Sequence, residues 1–320
     1  MSSKILERLL KDPGMQELVD LLEKGLNSSD LQSILIEMAR RRSESVQPSG
    51  ILKEFRENRF LKPSEISQAA FNRIDRLAYR ILGNDFSPIE LSPVAPFGSC
   101  SSVTNLSQNL VISTIRHSEV LADPTNAMAI EASIRRKALL EKDPKSVQEI
   151  NLCSSHRLIR AQSFGNEKFT AHFRVFALVT AGKDTGHFRF EISQLEEHIR
   201  FYLELCKQLG ILEDSELRIS DFSGKFDQSL LDPGLNHLKT SYPEVEIIWD
   251  NERTEARHYY NPVAFRIRFH DNEGNEWDLA DGGSNDWTQI YLNNKKERLL
   301  SSAIGTELLL KVFPYIRVPD

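Results

Sequence analysis

This 320-residue sequence lacks most of the features that mark specialised protein classes. Cysteine is scarce: Cys100, Cys153 and Cys206 stand far apart, and none forms a CxxC pair. That argues against a disulfide framework and against a cysteine-built zinc site. No acidic or histidine cluster has metal-ligand spacing either, so no protein-bound metal is expected. No apolar run approaches the roughly 18 residues that suggest a membrane-crossing helix. The start, MSSKILERLLKDPG, has no signal-peptide stretch. Basic residues are not in excess: 40 Lys+Arg against 46 Asp+Glu give a net charge of -6, whereas nucleic-acid-binding domains usually carry a basic footprint. With 15 Gly and 13 Pro and no internal repeat, fibrous and low-complexity classes are excluded. These absences predict a soluble protein of a reducing, cytoplasmic compartment, with chain enough for one large domain or two smaller ones.

What is present is periodic. Ile5, Leu9 and Leu10, then Leu18, Leu21 and Leu22, recur at helical spacing, with a turn at Asp12-Pro13-Gly14 between them. Ser29 and Gln32 form a capping-box pattern ahead of a helix that ends in Arg40-Arg41-Arg42. SESVQPSG (43–50) reads as a linker, so residues 1–60 read as a helical appendage. The segment from Pro63-Ser64 to Gly83 predicts a helix with Ile66, Ala70, Ile74, Leu77 and Ile81 on one stripe. A proline-rich extended piece (86–96), a strand over 109–120 and a helix over 123–142 follow. EINLCSSHRLIRAQ and AHFRVFALVTAG predict a hairpin around the loop SFGNEKFT. An amphipathic helix (193–210), strands in EVEIIWD and PVAFRIRFHD, a turn at 271–276 and a last helix over 297–313 complete the pattern. Helices mixed with antiparallel hairpins predict an α+β domain rather than a doubly wound parallel sheet.

The order of these pieces resembles the catalytic core of class II aminoacyl-tRNA synthetases, and the histidyl-tRNA synthetase branch in particular, over roughly residues 64–318. FNRIDRLAYRILGNDFSPIELSPV is similar to the family's first motif, a helix and a strand ending in proline at the dimer interface, with Pro93 as that proline. Ile159-Arg160-Ala161-Gln162 and His172-Phe173-Arg174-Val175-Phe176 resemble the second motif, fRxE, loop, (R/H)xxxF. Ala303-Ile304-Gly305-Thr306-Glu307-Leu308 resembles the third, a strand and a glycine opening a helix. Tyr259-Tyr260-Asn261, Gly282-Gly283-Ser284-Asn285-Asp286 and Glu131-Ala132-Ser133 are similar to the branch's YYT, GGRYD and EGT elements.

The resemblance implies an antiparallel sheet flanked by helices, with the helical appendage at 1–60 and the synthetase-like core at 61–320. It implies ATP, with Mg2+ alongside. Arg160 is then the catalytic residue on the α-phosphate. His172 meets the γ-phosphate and Phe176 stacks on adenine, with Gln162, Gly305 and Glu307 completing the nucleotide site. Glu131, Tyr259, Tyr260, Gly282, Gly283 and Asp286 shape the substrate pocket. A guanidinium suits the phosphate role because its planar fork matches phosphate oxygens. The departures are specific. Gln162 replaces a glutamate, Leu308 stands where the family has an arginine over adenine, and Glu255 where it has a catalytic arginine, with Arg253 and Arg257 nearby. Loss of the adenine-side cation weakens ATP binding by about 1–3 kcal/mol. Twelve residues follow Leu308, which leaves no anticodon-binding domain in this sequence; with the acidic charge, that argues against tRNA as a partner. Two readings follow: a diverged, non-charging paralogue, akin to the regulatory subunit of ATP phosphoribosyltransferase, or an adenylate-forming ligase with a non-standard acceptor. The first motif implies a homodimer through residues 64–96, and the N-terminal helices could engage a protein partner.

Residue chemistry alone keeps a plainer alternative open at each position. Arg160 and His172 could be ordinary strand residues and Phe176 core. Tyr259 and Tyr260 could be a packed pair, Gly282-Gly283 a tight turn, and Gly305 a point of close helix–sheet approach.

Overall fold

The computed structural model describes residues 2–104, 107–162, 165–166, 168–224, 229, 231–316 and 318. Four helices lead the chain: α1 (Ser2–Leu9), α2 (Pro13–Asp20), α3 (Ser28–Ser43) and α4 (Pro48–Glu57). Asp12 caps α2 by accepting from the Gly14 amide at 2.8 Å, with Pro13 at the first helical position, so the expected turn is also a helix start. Asn27, not Ser29, caps α3: its Oδ1 accepts from the Asp30 amide at 2.9 Å. The expected linker at 43–50 instead opens α4, because Pro48 presets the first-turn backbone. No residue of 4–60 is buried, and Ile5, Leu18, Met38, Leu52 and Phe55 are exposed.

The remainder surrounds an eight-stranded, mostly antiparallel sheet. Its strands are β1 (Ser87–Pro88), β4 (Ile150–Ile159), β5 (His172–Lys183), β6 (Ser215–Asp221), β7 (Glu246–Trp249), β8 (Val263–His270), β9 (Glu276–Asn285) and β10 (Glu297–Ile304). They lie in the order β1-β4-β5-β10-β9-β8-β6-β7, parallel at the two edge pairs and antiparallel between. A two-stranded piece pairs β2 (Val94–Pro96) with β3 (Ser118–Val120), so the strand expected over 109–120 shrinks to its last three residues. Ser163, Phe164 and Glu167 of the expected hairpin loop lie outside the described residues.

Helices cover both faces. One face carries α5 (Gln68–Leu82), α8 (Arg189–Gln208) and α11 (Thr306–Val312); the other carries α7 (Pro124–Lys142) and α10 (Trp287–Leu292). Helix α5 starts later than the sequence suggests. Ser67 supplies the cap to the Ala70 amide, while Ser64 is drawn away by a 2.7 Å bond to Glu307. Its buried stripe is accordingly Phe71, Ile74, Leu77, Ala78 and Leu82. Gly83, at φ +55°, ends it.

The largest departure is at 297–313, which is strand β10 followed by α11 rather than one helix. Leu299 packs toward α7 and Leu300 and Ile304 toward α8, so the run is apolar because both of its faces are covered. Gly282 permits the close contact of β9 with its neighbours. A Cβ there would meet Ser302 Cβ at 2.4 Å and the Phe265 ring at 2.6 Å.

Candidate functional site

Cross-strand partners share a sheet face, and neighbours along a strand alternate. That rule sorts the hairpin residues. Leu158 pairs with Phe173, Ala177 with Ala303, and Ala303 with Asp281; with Val175 and Arg160 these lie on the α7 face. His172, Arg174 and Phe176 pair with Ile159, Arg157 and Ser155 on the α5 face. Arg160 therefore does not share a face with His172 or Phe176.

On the α7 face, Asp123, Thr125, Leu158, Arg160, Val175, Tyr259, Tyr260, Asp281 and Ala303 line a cavity of about 260 Å³. Asp123 is the N-cap of α7 and accepts from the Thr125 amide at 2.9 Å and hydroxyl at 2.7 Å. Tyr259 Oη donates to Asp123 Oδ2 and lies 3.3 Å from Thr125 Oγ1. Arg160 Nε donates to the Ala122 carbonyl at 2.9 Å, Nη2 stands 3.5 Å from Asp123 Oδ2, and the guanidinium lies 5.8 Å from the centre of the Phe173 ring. Opposite, Arg253 Nη2 donates to both oxygens of Asp281 at 3.0 Å. Burial, and after it Asp123, pushes the Tyr259 hydroxyl well above its ordinary pKa of 10.0. For Tyr260 the causes are burial and then Asp281. Both phenols therefore stay protonated and can donate. Among the described lining residues Arg160 is the single cation, set against two carboxylates, and the floor of Leu158, Val175 and Ala303 is aliphatic.

The structure thus brings together Arg160, Tyr259 and Tyr260 of the expected set, and places the others elsewhere. His172 Nδ1 accepts from Arg157 Nη1 at 2.8 Å. Its proton is therefore on Nε2, which donates to the Lys62 carbonyl at 2.6 Å. Both ring nitrogens are engaged away from the cavity. Phe176 is fully buried among Tyr79 and Phe201, its ring 5.2 and 5.6 Å from theirs, so it is core and not a base platform. Glu307 is buried on the α5 side, bonded to Ser64 and ion-paired with Arg157 at 2.8 Å. Gln162 offers its carbonyl to Arg59. Glu131 pairs with Arg135 beside a separate cavity of about 500 Å³ lined by Val94, Ala95 and Pro96, because two further turns of α7 carry it away from the capping end. Asp286 is exposed beside a third cavity with Glu191 and Arg298.

The glycines divide as well. A Cβ on Gly283 would meet the Val263 carbonyl at 2.6 Å and Tyr260 Cδ1 at 2.9 Å, so this glycine seats Tyr260. Gly305 has a φ of -74° and nothing nearer than 3.5 Å to such a Cβ, so the close helix–sheet approach expected there is not needed.

Sequence reasoning missed Asp123, Thr125, Phe173 and Asp281. Asp123-Pro124-Thr125 carries a helix-start signal, and strand parity counted from Arg160 selects Phe173. Arg253 lies six residues before Tyr259 and reaches Asp281, the region that Glu255 leaves without a cation. Leu308 packs against the α5-side core and offers no charge. Arg160 faces Asp123 and Arg253 faces Asp281, so the charges around the cavity balance, and among the described residues no three metal-ligating side chains converge. No described helix is long and apolar enough to cross a membrane.

No protein-family model matches the sequence, and no curated protein matches it. Solved structures do. The apo histidyl-tRNA synthetase of S. aureus aligns with a TM-score of 0.58 at 13% identity, over 79% of this chain and 68% of that one. A Bacillus halodurans protein described as an ATP phosphoribosyltransferase regulatory subunit/histidyl-tRNA synthetase aligns at 0.56 and 12% identity, over 78% and 82%. The RNA-binding domain of threonyl-tRNA synthetase from Cryptosporidium parvum aligns at 0.55 and 12% identity, over 76% of this chain and 62% of that one. At these identities the likeness is one of fold, and the fold of this chain is that of a class II aminoacyl-tRNA synthetase-like protein.

Proposed function

We propose that the chain is a diverged, non-charging member of this fold whose α7-face cavity binds a small zwitterion of the aliphatic amino-acid class. The observation that carries the reading is the charge balance of the cavity: Arg160 faces Asp123, and Asp281 is held by Arg253, so two guanidiniums are matched by two carboxylates. A triphosphate bearing about four negative charges would meet no surplus of positive charge there. A zwitterion matches it. Its ammonium faces Asp123, its carboxylate faces Arg160, and its side chain rests on Leu158, Val175 and Ala303. Tyr260 adds a phenol donor, while the Tyr259 proton is taken by Asp123. On this reading residues 1–60 are a helical appendage and 61–320 the core. The core pairs with a second copy through the 64–96 helix–strand unit, where Val94 is exposed and Phe97, next in the chain, is exposed too.

A second reading, an adenylate-forming ligase, draws on one observation: Phe173 lies beside Arg160 on the cavity face and could carry a base. ATP–pyrophosphate exchange with all twenty amino acids separates the two. The zwitterion reading expects no exchange, and a rise in melting temperature with L-leucine or L-valine that Arg160→Ala removes. Robust exchange abolished by Arg160→Ala would sink it in favour of the ligase. Absence of any amino-acid-dependent stabilisation would sink the binding role.

A further inference from the structure

The segment joining α4 to α5 is tied down at the open end of the β4–β5 hairpin. Arg59 Nη2 donates to the Ala161 carbonyl at 2.6 Å and Nη1 to the Gln162 carbonyl at 3.0 Å. One planar fork thus holds the carbonyls of the two residues that follow Arg160. The guanidinium is itself steadied over the Phe60 ring at 4.5 Å. On the α5 side, the Lys62 carbonyl takes the His172 Nε2 proton, and Ser64 Oγ donates to Glu307, which Arg157 also holds. Arg157 joins the two branches, because it donates to His172 Nδ1 as well.

Arg160 is at the end of the hairpin pairing. Its amide bonds the Ala171 carbonyl at 2.9 Å, while the amides on either side, of Ile159 and Ala161, face the other edge and bond the Leu121 and Leu110 carbonyls at 3.0 Å. A strand end frays more readily than its middle, and each further tie there holds it. Arg59 adds one at the Ala161 and Gln162 carbonyls, from 102 residues away in sequence.

We infer that Arg59 is a positioning residue: it fixes the backbone behind Arg160 and thereby couples the N-terminal helices to the cavity. The helices of residues 4–60 bury no residue, so their position is set by such ties; another is His117 Nε2, 2.7 Å from the Ser28 carbonyl. Motion of α4 then reaches Arg160 through one side chain. The ligand-binding half of this inference rests on the zwitterion reading; the backbone half does not.

The test uses the full chain and three proteins: wild type, Arg59→Ala and Arg59→Lys. Amide hydrogen exchange is read at Arg160 and Ala161, with Leu178 and Val179 in mid-strand as references. Arg59→Ala is expected to speed exchange at Arg160 and Ala161 about tenfold while the references hold still. Arg59→Lys, able to reach one carbonyl but not both, falls between. Titration with L-leucine by calorimetry is expected to show affinity falling in the same order. Exchange at Arg160 and Ala161 within twofold of wild type in Arg59→Ala overturns the inference, and so does an equal rise at the references. If wild type does not bind L-leucine, the zwitterion reading fails, and the exchange result still decides the coupling.

Discussion

Two phenylalanines three residues apart on one strand test the facial assignment of the hairpin. Phe176 is fully buried, edge-on to Tyr79 at 5.2 Å and tilted against Phe201 at 5.6 Å. Truncation to alanine at such a site costs about 3–5 kcal/mol, since transfer and cavity contributions add. Phe173 is half-buried beneath the Arg160 guanidinium, and its loss removes a cation–π contact of about 0.5–1 kcal/mol. In urea, with a slope of about 3 kcal/mol/M for a chain of this size, Phe176→Ala should lower the unfolding midpoint by at least about 1 M. Phe173→Ala should barely move the midpoint. It should instead weaken L-leucine about two- to fivefold by loosening Arg160. A Phe176→Ala protein with an unchanged midpoint and lost ligand binding would refute the facial assignment and return the nucleotide role to Phe176.

Other sites give sharper stability tests. Arg136 and Glu297, both fully buried, meet through bonds of 2.8 and 2.9 Å, and Arg136 also reaches the Gln148 carbonyl. Glu297→Leu leaves a buried guanidinium unpaired and should cost about 3–5 kcal/mol, whereas the double change Arg136→Met/Glu297→Leu should recover most of it in a urea titration. Gly283→Ala, which forces a Cβ against backbone and Tyr260, should cost about 1–3 kcal/mol and lower ligand affinity; Gly305→Ala should be silent in both assays. His198 is fully buried, its pKa pushed from 6.5 down to about 3 by burial. The unfolded chain takes up the proton first, so this contribution is full above about pH 6.5 and falls toward pH 3 by up to about 1.4 kcal/mol per unit. Stability measured at pH 7 and 5 should show a loss of about 2 kcal/mol that His198→Gln largely removes; equal losses in both proteins would contradict it.

The parts of the fold that could be read in advance are those whose residues act locally. Asp123-Pro124 starts α7, Gly83 and Gly210 sit just past α5 and α8 in positive φ, and the β4–β5 hairpin follows its β-branched and aromatic runs. Strand β10 could not be read that way. Covered on both faces, it loses the alternation that marks a strand and borrows the look of a helix. The site was legible in part for a related reason. Arg160, Tyr259 and Tyr260, singled out from motif order, line one cavity. His172 and Phe176 were not placed correctly, because a spacing pattern carries no parity until one residue on the strand is assigned a face. Asp281 joins the cavity only through the β9–β10 register, which no local pattern encodes.

The hairpin's cations divide between the two faces of the sheet. Arg157, His172 and Arg174 all project toward α5, where Arg157 serves Glu307, His172 serves Lys62, and Arg174 donates to Asp75 at 2.8 Å and to Ser155 at 2.9 Å. Apart from Ser155 in β4, those partners lie in the joining segment, α5 and α11, so these charges hold the core and the N-terminal segment together. Arg160, alone on the opposite face, is restrained by Ala122, Asp123 and the Arg59 fork behind it. On the zwitterion reading, a cavity whose guanidiniums are matched by its carboxylates, over an aliphatic floor, selects by charge balance and size. On that reading nucleotide affinity would take added positive charge on the cavity face, at Val175 or Ala303, and not at Leu308, whose side chain packs on the other side of the sheet.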